Sequence, residues 1–318
     1  MMNRNVLITG ASSPIGEELV RRLLEDSRIG RVIAVLDPKK TSQLKEHPRL
    51  TIVTVDIRKQ RRLHSLLFGI AKEQSIHVIV HTSQTESATK EGASVHAHNV
   101  DSLRNLLSFS ERHPTINRLV VRSCSGVYQV QRDLPALISE DHPLNMSGGA
   151  PQWVRDRVEA DFTACARMGL STLSIVVLRM TEVLEKDCGS QIYDYLQSSV
   201  CLRPIGFDPM LNFLTVEDAA AAFNKAVTSD AQGVFNIPGA DTLPLTECID
   251  HWGKRSIPLP EFGMHWAYRF RRKLKGGQFR YGMNRRRFHY SGTLDGRRAL
   301  DVLRFFPSHP INWQKTSS

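Results

Sequence analysis

Two glycines six residues apart, Gly10 and Gly16, bracket a turn in the segment Val6-Leu7-Ile8-Thr9-Gly10-Ala11-Ser12-Ser13-Pro14-Ile15-Gly16, whose residue types suit the cradling of a polyphosphate. Glycine has no Cβ, so the backbone there can approach a pyrophosphate, or a helix can pack closely on a sheet. Ser13 is a good helix cap and Pro14 fits the first helical position. The N–H groups and dipole of a helix starting there favour anionic phosphates. From the glycines alone, a purely structural turn would read the same way. Asp37 follows Gly16 by 21 residues, where a carboxylate can accept hydrogen bonds from an adenosine ribose. It would repel a phosphate on that hydroxyl, which favours NAD over NADP. Taken alone, Asp37 fits a plain Asp-Pro turn equally well, and the neighbouring Lys39 and Lys40 soften the discrimination. Asp56 and Ile57 stand where they could meet the edge and face of an adenine.

Such a turn works only at the end of a buried strand. Val6–Thr9, Val32–Leu36, Ile52–Val55, Val78–His81, Leu119–Arg122 and Leu173–Leu178 are short runs rich in Val, Ile and Leu. Runs apolar at nearly every position suit strands covered on both faces. Between them Glu17–Glu25, Arg61–Lys72, Val95–Glu111 and Val154–Met168 carry apolar residues at helical period. The alternation predicts an α/β fold, a doubly wound parallel sheet of Rossmann type. After Leu178 it weakens. Helices are expected at Ile192–Ser199 and Glu217–Val227, with apolar runs at Asn212–Thr215 and Val234–Ile237. The expected division is a dinucleotide-binding domain over 1–180, its sheet completed by about 211–237. A smaller C-terminal substrate lobe takes 181–210 and 238–318.

Bulk properties narrow the function classes. Hydrophobic content of 41% and charged content of 23% are ordinary for a soluble globular chain. No run of 18 apolar residues exists, and the first strand starts too near Met1 for a signal peptide. The five cysteines are odd in number and lack CxxC spacing, so reduced thiols and a cytoplasmic location are expected. The twelve histidines form no ligand set, which argues against a metal. Net charge is +10, yet nine Lys or Arg residues and no acid lie between Arg269 and Arg287. Without those nine the chain carries only +1.

Motif by motif, the chain resembles the extended short-chain dehydrogenase/reductase superfamily, specifically its NAD-dependent epimerase/dehydratase family. Thr9-Gly10 to Gly16 is similar to TGxxGxxG, with Ser13 at the middle glycine. Val55-Asp56-Ile57-Arg58 is similar to GDIRD, and His77–His81 to DVVIH, with Thr82-Ser83-Gln84 replacing the usual LAA. Asn99–Leu107 is similar to NVxGTxNLL, Ser123–Tyr128 to SSxxVY, and Phe213–Ala219 to FIHVDDVA. Asp295-Gly296-Arg297-Arg298-Ala299, with Leu303 and Pro307, is similar to DxxRAxxxLGxxP. The resemblance implies that Gly10, Ser12, Ser13, Pro14, Ile15, Gly16, Asp37, Asp56, Ile57, Thr82, Ser83, Asn99 and Arg157 surround a nicotinamide dinucleotide. It also implies pairing of two copies through the helices after the fourth and fifth strands.

The family's chemistry is hydride transfer at a carbon–oxygen centre. A tyrosine acts as acid or base, a lysine four residues on lowers its pKa, and a serine holds the reacting oxygen. The motif register puts Trp153 at the tyrosine, Arg157 at the lysine and Cys124 at the serine, with Ser125 beside it. A one-residue slip gives Gln152 and Asp156, which is no better. Met180 stands at a proline beside the nicotinamide. Indole does not exchange protons near neutrality, a thiol is a weak donor, and Arg keeps a charge without being able to deprotonate. The expected protein therefore binds NAD and has reduced or no standard activity. One rival is an active oxidoreductase or epimerase on a lipid, hydroxysteroid-like or sugar-nucleotide substrate, using Tyr128, Glu140, Asp141 or Tyr193 as acid. Another is an interaction module that has lost the cofactor.

Residues 266–290 interleave cations with aromatics such as Trp266, Tyr268, Phe270, Phe279, Tyr281, Phe288 and Tyr290. An anionic membrane surface, met by Trp266, Phe270 and Leu274 and making the protein peripheral to the membrane, is one reading. An acidic partner or substrate beside a solvated face is the plainer one. Nucleic acid is disfavoured, because no recognised motif supports it.

Overall fold

The computed structural model describes residues 3–275 and 277–313, the side chains of 272–275 excepted. Apart from the short β6, the first half alternates as its apolar periods predict: β1 (Arg4–Thr9), α1 (Pro14–Glu25), β2 (Ile29–Leu36), β3 (Leu50–Thr54), α2 (Gln60–Leu66), β4 (Val78–His81), α3 (Ala93–His96), α4 (Ser102–Ser110), β5 (Arg118–Cys124), β6 (Leu137–Ile138), α5 (Gln152–Cys165) and β7 (Ser174–Met180). A π-turn over Ala97–Asp101 joins α3 to α4 without a break, and Leu67–Ala71 continues α2 past a kink at Gly69. The second half adds β8 (Glu182–Val183), α6 (Gln191–Leu196), β9 (Val200–Pro204), β10 (Met210–Leu214), α7 (Val216–Thr228), β11 (Gly233–Ile237), β12 (Asp241–Pro244), α8 (Leu245–His251), β13 (Arg255–Leu259), α9 (Glu261–Lys275), α10 (Tyr281–Asn284) and β14 (Thr293–Leu294).

Seven parallel strands form the central sheet in the order β3-β2-β1-β4-β5-β7-β11. Strand alternation sends successive residues into two different cores. Val6 and Ile8 of β1, Val80 of β4 and Val120 of β5 join Ile15, Leu19 and Leu23 of α1 and Phe223 of α7. Leu7, Ile79 and Val121 face the other way, onto Leu63 of α2 and Leu103, Leu106 and Leu107 of α4. Each such side chain contributes roughly 1.5–3 kcal/mol on burial, which is why these runs tolerate no polar face. The chain winds outward from β1 to β3, then crosses back to β4. Strand order thus reverses between β1 and β4, and their carboxyl ends diverge there into a crevice.

The rest forms three small sheets, β12-β10-β8, β13-β9 and β14-β6. The first two border an aromatic core of Tyr195, Phe213, Tyr268, Phe279, Tyr281 and Phe288, while β14-β6 packs in a separate cluster with Val127, Trp153 and Val154. All five cysteines are free. Among the described residues no helix is long and apolar enough to cross a membrane, and no cluster of three His, Cys, Asp or Glu could hold a metal.

Beneath the crevice His81 ends β4 fully buried, its Nδ1 2.7 Å from the Thr9 hydroxyl. Burial pushes its pKa down to about 3. The unfolded chain takes up this proton near 6.5 while the native state refuses it. Stability is therefore full above pH 6.5 and falls as pH drops toward 3, at about 1.4 kcal/mol per pH unit from this group. We expect His81→Asn to flatten that acid limb in urea titrations between pH 6.5 and 4. An unchanged slope would locate the acid sensitivity elsewhere.

Candidate functional site

The turn after β1 has the geometry its glycines suggest. Gly10 adopts φ +77°, and a Cβ there would lie 2.8 Å from the Ser83 backbone. A Cβ on Gly16 would come within 2.3 Å of the Gly10 carbonyl oxygen and 2.7 Å of Ala11 Cα. Ser13 caps α1: its hydroxyl accepts from Gly16 N–H at 3.1 Å and donates to Gly10 O at 2.8 Å. The serine in place of the middle glycine thus turns its side chain inward. It also takes up one of the donors a phosphate would use. Pro14 contributes no N–H, the Ser13 N–H goes to Gly10 O, and Ile15 lies in the same core as the buried Cys188. Burial pushes its thiol up to about 12, so it is uncharged at neutral pH.

From this turn a groove of about 410 Å³ runs along the crevice. Of the residues singled out from sequence, Gly10, Ser12, Ser13, Asp37, Thr82 and Ser83 line it. Asp37 stands at the mouth, its carboxylate accepting from Lys39 N–H at 2.8 Å. Asp56 does not reach the groove; its two oxygens hold Arg58 at 2.7 and 2.8 Å, and Arg58 does the lining. Ile57 is buried in the lower core. Asn99 is buried too, accepting from Thr85 N–H at 2.9 Å and donating to Asp156 at 3.2 Å, so it fixes the loop after β4. Lys39, Lys40, Arg58, Lys90 and Arg122 outnumber Asp37 and Glu86 along the walls, and Lys40 pairs with Glu86 across the rim. Arg122 Nε is buried without a hydrogen-bond partner among the described residues. The walls suit the ribose and pyrophosphate of an adenine dinucleotide.

Neither Cys124, Ser125, Trp153 nor Arg157 lines this groove. The Arg157 guanidinium lies 3.5 Å over the Trp153 ring and donates to Thr85 O at 3.1 Å. It also faces the Cys124 thiol, and burial lowers its pKa to about 10, so it stays charged at neutral pH. Trp153 Nε1 is buried with no partner among the described residues. The segment after β8 closes over the stack: a Cβ on Gly189 would lie 3.3 Å from Arg157 and 3.5 Å from Glu86 Cα. From the C-terminal lobe Arg287 reaches in, donating to Ser125 Oγ at 3.1 Å and pairing with Glu182. Burial alone would raise the Glu182 carboxyl, but Arg287 and the Ser190 hydroxyl hold it below its ordinary value. Met180 is core. Two guanidiniums and an indole thus pack together beside Cys124 and Ser125.

Residues 6–149 match the model of the NAD dependent epimerase/dehydratase family. That span runs from β1 to the loop before α5 and includes the turn after β1. An uncharacterised protein of Mycobacterium tuberculosis is 27% identical over 305 residues, covering 94% of this chain and 77% of that one. Among solved structures, a dTDP-glucose 4,6-dehydratase from Bacillus anthracis in complex with NAD superposes with a TM-score of 0.70 at 17% identity, covering 99% of this chain and 94% of that one. A UDP-glucuronic acid 4-epimerase from Bacillus cereus in complex with NAD gives 0.70 at 16% identity, covering 98% and 96%. At these identities the structural likeness establishes the shared fold.

Among the described residues no tyrosine lines the groove. Tyr128 is tied to Arg179 and Asn236 at 3.0 and 2.6 Å, and burial pushes it up to about 12. Glu140 accepts from Asn236 N–H at 2.8 Å, Asp141 is exposed, and Tyr193 lines a separate crevice beside Gly189. Sequence reasoning missed Arg122, Cys188, Glu182 and Arg287. Only Arg122 left a signal, as a charge inside the apolar run of β5.

Proposed function

We propose that this protein binds NAD by its adenosine and pyrophosphate half and does not carry out the family's hydride transfer through a Tyr/Lys relay. The stacking of Arg157 on Trp153 carries the reading. Neither side chain exchanges a proton near neutrality, and the groove stops short of both. Asp37 would take the ribose hydroxyls, while Arg58, Lys40, Lys90 and Arg122 would meet the phosphate charge that the turn's own N–H groups are too engaged to meet. NADP is disfavoured by Asp37. The free cysteines favour a reducing compartment such as the cytoplasm.

A positioned proton-transfer group contributes roughly 10²–10⁴-fold. With NAD and a panel of nucleoside-diphosphate sugars and hydroxysteroids, we therefore expect turnover lower by about that factor than in a relay-bearing family member. Product formation at ordinary family rates would defeat the proposal. One observation favours a second reading, an interaction module without cofactor: the Gly16 N–H is spent on the Ser13 hydroxyl and Pro14 has none, so the start of α1 has fewer donors for a phosphate. Calorimetry separates the two, because that module gives no heat with NAD or NADP.

A further inference from the structure

The cations and aromatics of residues 261–290 do not behave as one mixed stretch. Tyr268, Phe279, Tyr281 and Phe288 are buried together in the aromatic core with Tyr195. α9 packs onto that core through Met264 and Tyr268, while Arg271 of the same face donates to the Val200 carbonyl. On the opposite face Phe262, Trp266 and Phe270 are 82%, 70% and 66% exposed. Their spacing of four places them in one row along the helix. Leu274 would extend that row, but its side chain lies outside the described residues. Three large aromatics side by side and open to water need a partner surface.

Charge says which surface. Arg269 is exposed beside the row, and Arg285 and Arg286 are exposed on the segment after α10. Glu261, the acid at the start of α9, is paired with Arg285. No acid occurs from Arg269 to Arg287, where nine cations stand. We propose that the outer face of α9 docks on an anionic lipid bilayer, with Phe262, Trp266 and Phe270 entering the headgroup–acyl boundary and the flanking arginines meeting lipid phosphates. An exposed apolar row on a strongly basic helix is the pattern of a segment lying in the membrane plane. Attraction to an anionic leaflet is felt only within about one Debye length, so salt weakens it.

The test is flotation of the full chain with phosphatidylcholine vesicles, with and without about a third phosphatidylglycerol. We expect flotation with the anionic vesicles only, reduced in high salt. It should fall at least tenfold in Phe262→Ser/Trp266→Ser/Phe270→Ser and in Arg269→Glu/Arg286→Glu. All five side chains are exposed, so thermal midpoints of the variants should match the parent. Brominated acyl chains should quench tryptophan emission of the parent far more than that of Trp266→Phe, since Trp153 and Trp252 are buried and Trp313 is half-buried against Phe213 and Trp252. Absence of flotation with anionic vesicles, equal flotation of the triple-serine variant, or flotation without quenching at Trp266 would each overturn the proposal. So would a concentration-dependent dimer without flotation, abolished by the triple variant, because the row would then cover a second copy.

Discussion

Replacing Asp161 with alanine will lower the unfolding free energy by about 3–5 kcal/mol, the usual cost of stranding one partner of a buried ion pair. The Asp161 carboxylate accepts from Arg179 at 2.7 and 2.9 Å and from the Ser123 hydroxyl at 2.6 Å. Both charged side chains are almost wholly out of water. Arg179 continues to Tyr128 and to the Glu140 carbonyl, each at 3.0 Å, so one deletion loosens β5, β7 and α5 together. Urea midpoints measure the loss. The double variant Asp161→Ala/Arg179→Met should be less destabilised than Asp161→Ala, because no unpaired charge stays buried. A single-variant loss below about 1 kcal/mol, the scale of a surface pair, would mean that water reaches the network.

Gly16→Val will abolish measurable dinucleotide binding and cost about 1–3 kcal/mol of stability, as overpacking does. The new Cβ would run into backbone at 2.3 and 2.7 Å, which no rotamer change relieves. Gly263→Ala in α9 is the matched control, since nothing stands within 4 Å of its Cβ position. Calorimetric titration with NAD reads the first effect and thermal unfolding the second. Unchanged affinity in Gly16→Val would separate the turn from ligand binding altogether.

The central sheet was legible because apolar runs and helical periods repeat regularly to residue 180 and local pattern suffices there. Strand ends were less so. β1 begins at Arg4 and β2 at Ile29, ahead of the apolar runs, because ladder bonds extend past the residues that fill the core. The short strands β6, β8, β9, β12, β13 and β14 left no period, since each is fixed by a distant partner. In the groove the glycines and Asp37 announced themselves through spacing. Arg287 meeting Ser125, or Cys188 meeting Ile15, depends on loops more than 160 residues from their partners, and spacing says nothing about such meetings. The basic stretch misled in another way: which aromatics are core and which are surface is decided by the helical phase of α9, which composition does not carry.

Parallel calorimetric titrations with NAD and with ADP-ribose test the central claim most directly. If the adenosine half of the groove is open while Arg157, Trp153 and Arg287 fill the reaction half, the two dissociation constants will agree within about threefold, under 1 kcal/mol. NAD binding tighter than ADP-ribose by more than about tenfold, or 1.4 kcal/mol, would contradict the account, because the nicotinamide would then have a place of its own.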